Sequence, residues 1–582
     1  MSMSDTENPQ SIDKRFFLNP QKPMQKRYEA LRASFVDQLP DPEAAEKFSY
    51  TYFSFKSMKR DCKSWTSDQF FRELQKGAKG EKKKTTAAKD KIIELRKKNY
   101  SVIEIKEKLA KEGIELSETI IHKILNNEGF AKLFRRTKRE QLEALQNNKN
   151  YPDIADQRRF AEHAQFSTSF AGIYLFLPII CQLKLHELFS ESNFYGSKMI
   201  SNINYLMSFL TLKLLGKERL SHVDDFNFDY GLGTFAGLNV LPKNAAITQY
   251  SYRHSAQLIR GLLKGFVKRL ALEKYLKGQN INLDFHVIPH YGEESELEDS
   301  WVATKGKSMK SVLSFFAQDL DTTFLCFSDG EIRREDMNDE ILEFVKFYKE
   351  TVGIKPERLI FDSKLTTYGN LSSLNEEGIL FITLKRRGKN FLKEVAGIKE
   401  WKKVKIDKMG RKYKNLLVSE SKVKIKDYEG LVRKIIVTGN GRELPMCLLS
   451  NDMESSARDL LANYAKRWRI ENNIQENVDF FNLNALSSPV VVKVNFDIAM
   501  TLIGNTLYKI LAEKTKWFKN AKPKKIFRNF IEGKATVKIT GDTVKIIFAK
   551  KSFNPLIMEW VHSLPELIIP WWNNRKLLFE FE

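Results

Sequence analysis

The chain has 582 residues, of which 42% are hydrophobic, and its 96 lysines and arginines against 73 aspartates and glutamates leave a formal net charge of +23. That length supports several domains around a large core, and basic residues spread over the whole chain fit a nucleic-acid partner better than a membrane tether. The four cysteines, far apart and without a C-x-x-C pair, exclude a zinc knuckle and a disulfide framework; the acidic, polar start MSMSDTENPQ is no secretory signal, and the apolar run around Ile173 to Ile180 is too short to span a bilayer.

Residues 1–84 begin with a polar tail and pass through an aromatic patch, TYFSFKSMKRDCKSWTSDQFFREL. They close on a lysine-rich linker, KGAKGEKKKTT. The patch reads as a small helical module of unassigned role. Residues 85–145 read as three helices with Ile92, Ile93 and Leu95, then Ile103, Ile105 and Leu109 at near-helical spacing. Ser101 with Glu104 makes a capping-box start, Gly113 ends that helix, and a new one opens at Ser117. Helix, short turn and helix with basic flanks is the helix-turn-helix pattern. Its last helix would enter a major groove with Glu118, Thr119, His122 and Lys123 outermost. The run FRRTKRE, with Arg135 and Arg136, would then follow the backbone phosphates. An ordinary three-helix bundle is the alternative.

Residues 146–275 read as a mostly helical linking and DNA-binding domain, with the glycine-rich YGLGTFAGLNVLP taken as a packing turn. Asp225 and Asp229 within it read as local caps or pairs. From about 276 the texture changes to alternating strands and helices. INLDFHVIP, SVLSFFAQDL and TTFLCFSDG read as strands, MNDEILEFVKFYKETVG as an amphipathic helix, RLIFDSK as a fourth strand and GILFITLKR as a fifth. That order, over 276–387, predicts the first part of a ribonuclease-H-like α/β catalytic core with a mixed sheet. Residues 388–450 form a lysine-rich, β-prone insertion with a hairpin turning at Asn440-Gly441. The core resumes over 451–490, and 491–582 add a helix from about Asp497 to Leu511, a basic loop, a hairpin near Gly541-Asp542 and an aromatic end, PWWNNRKLLFEFE.

Asp284 lies in the first core strand between Leu283 and Phe285, and Asp362 ends the fourth strand after LIF. A carboxylate among apolar strand residues is costly unless paired, hydrogen-bonded or bound to metal. Strands one and four are neighbours in a ribonuclease-H-like sheet, and YAKRWRIENNIQE sets Tyr464, Arg467 and Glu471 on one helix face. Three carboxylates meeting at one edge would offer hard oxygen ligands to Mg2+ or Mn2+. His286, two residues on from Asp284, points to the same face and reads as its hydrogen-bonded neighbour. His290, after Pro289, reads as exposed. The lysine runs at 402–414 and 514–525 read as solvated surface or as DNA-backbone contacts.

With these residues the chain resembles the DDE transposases of bacterial insertion sequences, in the insertion-sequence-four-like superfamily. Their tyrosine, arginine, glutamate and lysine signature is matched in its first three members by Tyr464, Arg467 and Glu471. Val478 stands where the lysine would fall. YGLGTFAGLNVLP and PWWNNR also look familial, so the resemblance covers about residues 150–582. It implies a cytoplasmic, nucleoid-associated enzyme, dimeric on DNA, that cleaves the terminal inverted repeats of its element and joins them to target DNA. Asp284, Asp362 and Glu471 would hold two Mg2+ or Mn2+ ions, with Arg467 and Tyr464 on a DNA phosphate. Some relatives stack a flipped base on a tryptophan of the insertion; here only Trp401 could serve, and packing on the sheet is its plainer role. The alternatives are a domesticated DNA-binding descendant and a metal-dependent nuclease without strand transfer.

Overall fold

The computed structural model describes residues 20, 22–66, 70–71, most of 88–127, and 163–582. Short gaps fall at 198–199, 227–228, 293–296, 303, 364, 386–387, 389, 407–414, 441–443, 486–488 and 516. The linker KGAKGEKKKTT and the run holding Arg135 and Arg136 lie outside these residues. The chain divides into two compact units, 1–83 and 84–582.

Among the described residues of the first unit are the helices α1 (Pro23–Phe35), α2 (Asp41–Lys47) and α3 (Tyr52–Asp61). Proline opens α1 and sits in the first turn of α2, where a missing N–H costs nothing and φ is already helical. Thr51 caps α3 by accepting from the Ser54 N–H. Ala30, Leu31, Ala33, Ala44, Ala45, Phe48 and Phe55 form a separate small core.

In the second unit α4 (Val102–Lys111) starts on the expected capping box, with Ser101 and Glu104 each bonding the other's backbone N–H. Gly113, at φ +77°, ends it in the left-handed conformation that suits glycine. α5 (Glu118–Asn127) follows, packed on Ile105 and Leu109 through Ile121, Ile124 and Leu125.

The segment after residue 162 starts with a strand, β1 (His163–Thr168), where the sequence reads as mostly helical. β1 pairs antiparallel with a strand some 370 residues further on, so its six residues carry no local signal of it. Short helices follow: α6 (Leu177–Gln182), α7 (Leu185–Glu191), α8 (Asn202–Leu214), α9 (Tyr230–Phe235), α10 (Asn244–Tyr250) and the longer α11 (Ala256–Leu272). Among the described residues no single helix is long and apolar enough to cross a membrane; the bent pair Ala171–Gln182 and Leu185–Glu191 passes by composition. Residues 171–180 are buried in the main core.

The central sheet has ten strands. β2 (Asn280–Pro289), β3 (Asp299–Val302), β4 (Lys307–Asp319), β5 (Leu325–Ile332), β6 (Arg358–Ile360) and β7 (Leu380–Leu384) are joined by β8 (Lys402–Lys405), β9 (Asn415–Val423), β10 (Val432–Thr438) and β11 (Met446–Ser450). The order is β3-β4-β2-β6-β7-β11-β10-β9-β8, with β5 on β4. Only β2-β6 and β6-β7 are parallel. The β-rich insertion therefore continues the sheet through β11 on β7. α12 (Glu340–Val352), α13 (Tyr368–Glu376), α14 (Phe391–Ala396), α15 (Ala457–Ala465) and α16 (Trp468–Phe481) accompany it, and the 23-residue α17 (Val491–Glu513) is buried along most of its length. After α18 (Pro523–Ile526) come β12 (Ala535–Thr540), β13 (Thr543–Phe548), α19 (Pro555–His562), β14 (Leu567–Ile569) and β15 (Arg575–Phe581). With β1 these strands make a second sheet of five. The protein is thus mixed helix and sheet.

The glycine-rich and tryptophan-rich segments meet. The Trp572 and Trp571 indoles donate to the Thr234 and Phe235 carbonyls at the end of α9, at 2.7 and 3.0 Å. Gly231 lets α9 approach β1, since a Cβ there would lie 2.6 Å from the Thr168 Cβ. Asp229 caps α9 through the Leu232 N–H, and Asp225 faces Lys217 at 4.0 Å, as local roles require.

Candidate active site

β2 organises the site. It runs antiparallel to β4, with Asp284 opposite Phe316, and parallel to β6 only as far as Asn282 opposite Ile360. β6 stops there while β2 runs on to Pro289, so β2 loses its parallel neighbour just past the carboxyl end of β6, the side on which such sheets admit ligands. The same register carried two residues further sets Asp284 level with Asp362. The Asp284 carboxylate accepts from the Phe285 N–H at 3.0 Å, and that of Asp362 from the Ser363 N–H at 2.6 Å.

The third carboxylate arrives on a broken helix. The sequence puts Tyr464, Arg467 and Glu471 on one continuous helix face. Instead α15 ends at Ala465 and α16 starts at Trp468. The backbone N–H groups of Lys466, Arg467, Arg469 and Ile470 each bond three residues back, a tightened turn that neither glycine nor proline announces. Tyr464 is buried in a second core cluster with Leu460, Leu461, Ile435 and Val437. Its ring lies 5.8 Å from the Arg467 guanidinium. Tyr464, read from the sequence as a DNA contact, is thus a buried ring beside the Arg467 guanidinium.

Arg467 joins the acids. Its Nη2 is 2.6 Å from Glu471 Oε1 and its Nη1 is 3.8 Å from Asp284 Oδ2. Burial pushes the Asp284 carboxyl up to about 7; Arg467 opposes this, while the charges of Glu471 and Asp362 add to it. The strand, the strand end and the helix thus place Asp284, Asp362, Glu471 and Arg467 together. Among the described residues no three acidic, imidazole or thiol groups form a ready-made metal cage, and Arg467 stands between two of the acids. The carboxylate oxygens of these acids are of the hard type that divalent cations take, and burial first, then the charges of Glu471 and Asp362, disfavours ionisation of Asp284.

His286 bonds Asn484 Oδ1 through Nε2 at 2.7 Å, a neighbour contact 198 residues away in sequence. His290 is buried, 8% exposed, with Nδ1 lacking a partner, which corrects its reading as a loop histidine in solvent. Val478 packs against the main core, and Trp401 packs beside Phe391, Ile436 and Cys447. Thr119, His122 and Lys123 occupy the outer part of α5, a separate element, where Glu118 is tied to Lys106 at 2.8 Å. The sequence gives no sign of the Asp284–Arg467 pairing, because the two lie far apart in it and an arginine beside a glutamate on a helix has a local explanation. No protein-family model matches the chain, and no curated protein matches it significantly.

Proposed function

We propose that the protein is a DNA transposase of the DDE type, built on a ribonuclease-H-like core, that cuts the ends of a mobile element and joins them to target DNA. The convergence of Asp284, Asp362 and Glu471 on Arg467 at the open end of β2 and β6 carries this reading. The net charge of +23 supports a DNA partner, and α4 and α5 suit a helix-turn-helix role with Thr119, His122 and Lys123 toward the groove. Working as a dimer, as joining two DNA ends requires, the enzyme would act in a bacterial cytoplasm.

Asp284, Asp362 and Glu471 would hold two Mg2+ or Mn2+ ions. Such ions supply an activated oxygen nucleophile and stabilise the leaving oxygen for in-line displacement at a phosphodiester. Arg467 balances the carboxylates in the free protein and offers its planar guanidinium to a phosphate beside the cut. Tyr464 holds that guanidinium in place.

The test is nicking of DNA that carries the inverted repeats flanking the coding region, with and without Mg2+ or Mn2+. Asp284→Ala, Asp362→Ala and Glu471→Ala should each lower the rate by about a hundredfold or more. Unchanged nicking in any one of the three removes that residue from the site. A strand-transfer assay separates the transposase from a nuclease on the same metals. The second reading, a DNA-binding descendant that no longer transposes, draws its support from Val478, a partly buried apolar residue packed against the core at the position of the signature lysine.

A further inference from the structure

Between α17 and the strand β12 lies a surface that the cleavage chemistry does not use. Residues 514–528, KTKWFKNAKPKKIFR, hold seven lysines and arginines and no acid. In their midst Trp517 is 78% exposed. An indole so open to water presents a face on which a flat ring can stack. The turn beneath it is anchored. Phe518 beside it is buried, its ring edge-on to Phe530 at 5.0 Å and to Phe553 at 5.9 Å. The turn is pinned by the Phe518 N–H on the Thr515 carbonyl at 3.1 Å and the Ala521 N–H on the Phe518 carbonyl at 2.8 Å. The Thr515 hydroxyl donates back to the Ala512 carbonyl at 2.8 Å.

The lysines around it face solvent, with Lys522 also in the field of the Glu476 carboxylate. Lys519, Lys522, Lys524 and Lys525 are exposed, and among the described residues none of them forms an ion pair. Lys525 also lies over the Phe518 ring at 5.0 Å. α18, which carries Lys524 and Lys525, packs on α16, the helix of Glu471. An exposed aromatic ring on an anchored turn, with exposed lysines close to it in the chain, matches one ligand chemistry well: a base to stack on, with phosphates beside it. A membrane surface fits less well, because only one apolar side chain is offered and interfacial binding grows with the apolar area buried.

We propose that Trp517, Lys519, Lys522, Lys524 and Lys525 form a second nucleic-acid site, in which Trp517 stacks on an unpaired base while the four lysines hold the neighbouring phosphates. The site shares with the transposase reading only its nucleic-acid partner, and none of its metal chemistry.

The experiment uses the full chain and three probes: a duplex with one unpaired 2-aminopurine, the same duplex fully paired, and phosphatidylserine/phosphatidylcholine vesicles. The parent protein should quench the 2-aminopurine and prefer the unpaired duplex. Trp517→Ala should abolish the quenching and weaken binding to that duplex about tenfold, with little effect on the paired one. Trp517→Phe should keep most of both. Circular dichroism melting checks that the variants fold, as an exposed position allows. Replacing the four lysines with glutamine should weaken binding to both duplexes. The proposal is overturned if Trp517→Ala quenches and binds like the parent, or if the protein takes up vesicles and ignores the unpaired duplex. Absence of metal-dependent nicking with quenching intact would remove the transposase reading and leave this site standing.

Discussion

Two acidic groups show how residue-level chemistry divides between site and scaffold. Asp284 is kept near neutrality by burial and by two carboxylates that gather with it at an opening of the sheet. Glu340, at the start of α12, has a carboxyl raised to about 8 by burial first and then by the charge of Asp329, with Arg260 opposing. It is 7% exposed, and its Oε1 is buried without a hydrogen-bond partner. Nothing in the proposed chemistry uses it. The folded protein therefore keeps a proton there that the unfolded chain releases near 4.5. Between those two values the unfolded state binds fewer protons, so stability falls as pH rises, by about 1.4 kcal/mol per pH unit for one proton. Glu340→Gln removes this dependence. The variant should melt above the parent at pH 8.5, with the gap closing toward pH 5; equal melting temperatures across that range would show that Glu340 ionises freely in the folded protein. Asp284 was legible in the sequence because an acid between Leu283 and Phe285 stands out. Glu340 was not: an acidic residue at a helix start looks like an ordinary dipole partner, and only the fold sets Asp329 against it.

At the scale of elements, the turn between β4 and β5 locks the site helix in place. The Asp319 carboxylate, wholly buried, accepts from four backbone N–H groups: Lys277 at 2.7 Å, Gly278 at 2.8 Å, Asp321 at 3.1 Å and Thr322 at 3.0 Å. It ties its own turn to the segment that leads into β2. Next to it Thr323, at φ +64°, turns its carbonyl toward the Asn473 amide of α16 at 3.0 Å and the Lys509 ammonium of α17. Arg469 of α16 donates to the Leu320 carbonyl at 2.9 Å. One turn thus sets β2, which carries Asp284, against α16, which carries Glu471. Asp319→Ala strands several buried donors and should cost about 3 kcal/mol or more, read from the urea midpoint, with Asp319→Asn losing less because one acceptor oxygen remains. A loss under 1 kcal/mol for alanine would mean that water satisfies these donors. In the sequence Asp319 is only an acid near the end of the strand-like run SVLSFFAQDL, with nothing to mark its four backbone donors. Its strands and α12 were legible from alternation and amphipathic spacing. The break before α16 was not, since YAKRWRIE is helix-forming throughout, and β1 was not, since its partner β12 is remote.

The whole molecule joins these elements to a strongly basic exterior. What could be read in advance was the part governed by local rules: the capping box at Ser101, the glycine stop at Gly113, the strand order around Asp284. What could not was the pairing of distant parts: the insertion strands continuing the sheet and the two indoles capping α9. The net charge of +23 sets the expected behaviour on DNA. Each phosphate neutralised by a lysine or arginine releases condensed counterions, so the logarithm of affinity falls with the logarithm of salt by about 0.9 per contact. A surface with this excess of cations should engage about six to ten phosphates of a duplex, which predicts a loss of about a thousandfold or more in affinity between 50 and 200 mM salt. The slope, measured by fluorescence anisotropy on a duplex, should shrink by about one for each of Lys519, Lys522, Lys524 and Lys525 changed to glutamine. Trp517→Ala should leave it unchanged, because stacking releases no counterions. A slope near zero in the parent would mean that the charge serves solubility alone, and a slope indifferent to the four lysines would place the DNA elsewhere on the molecule.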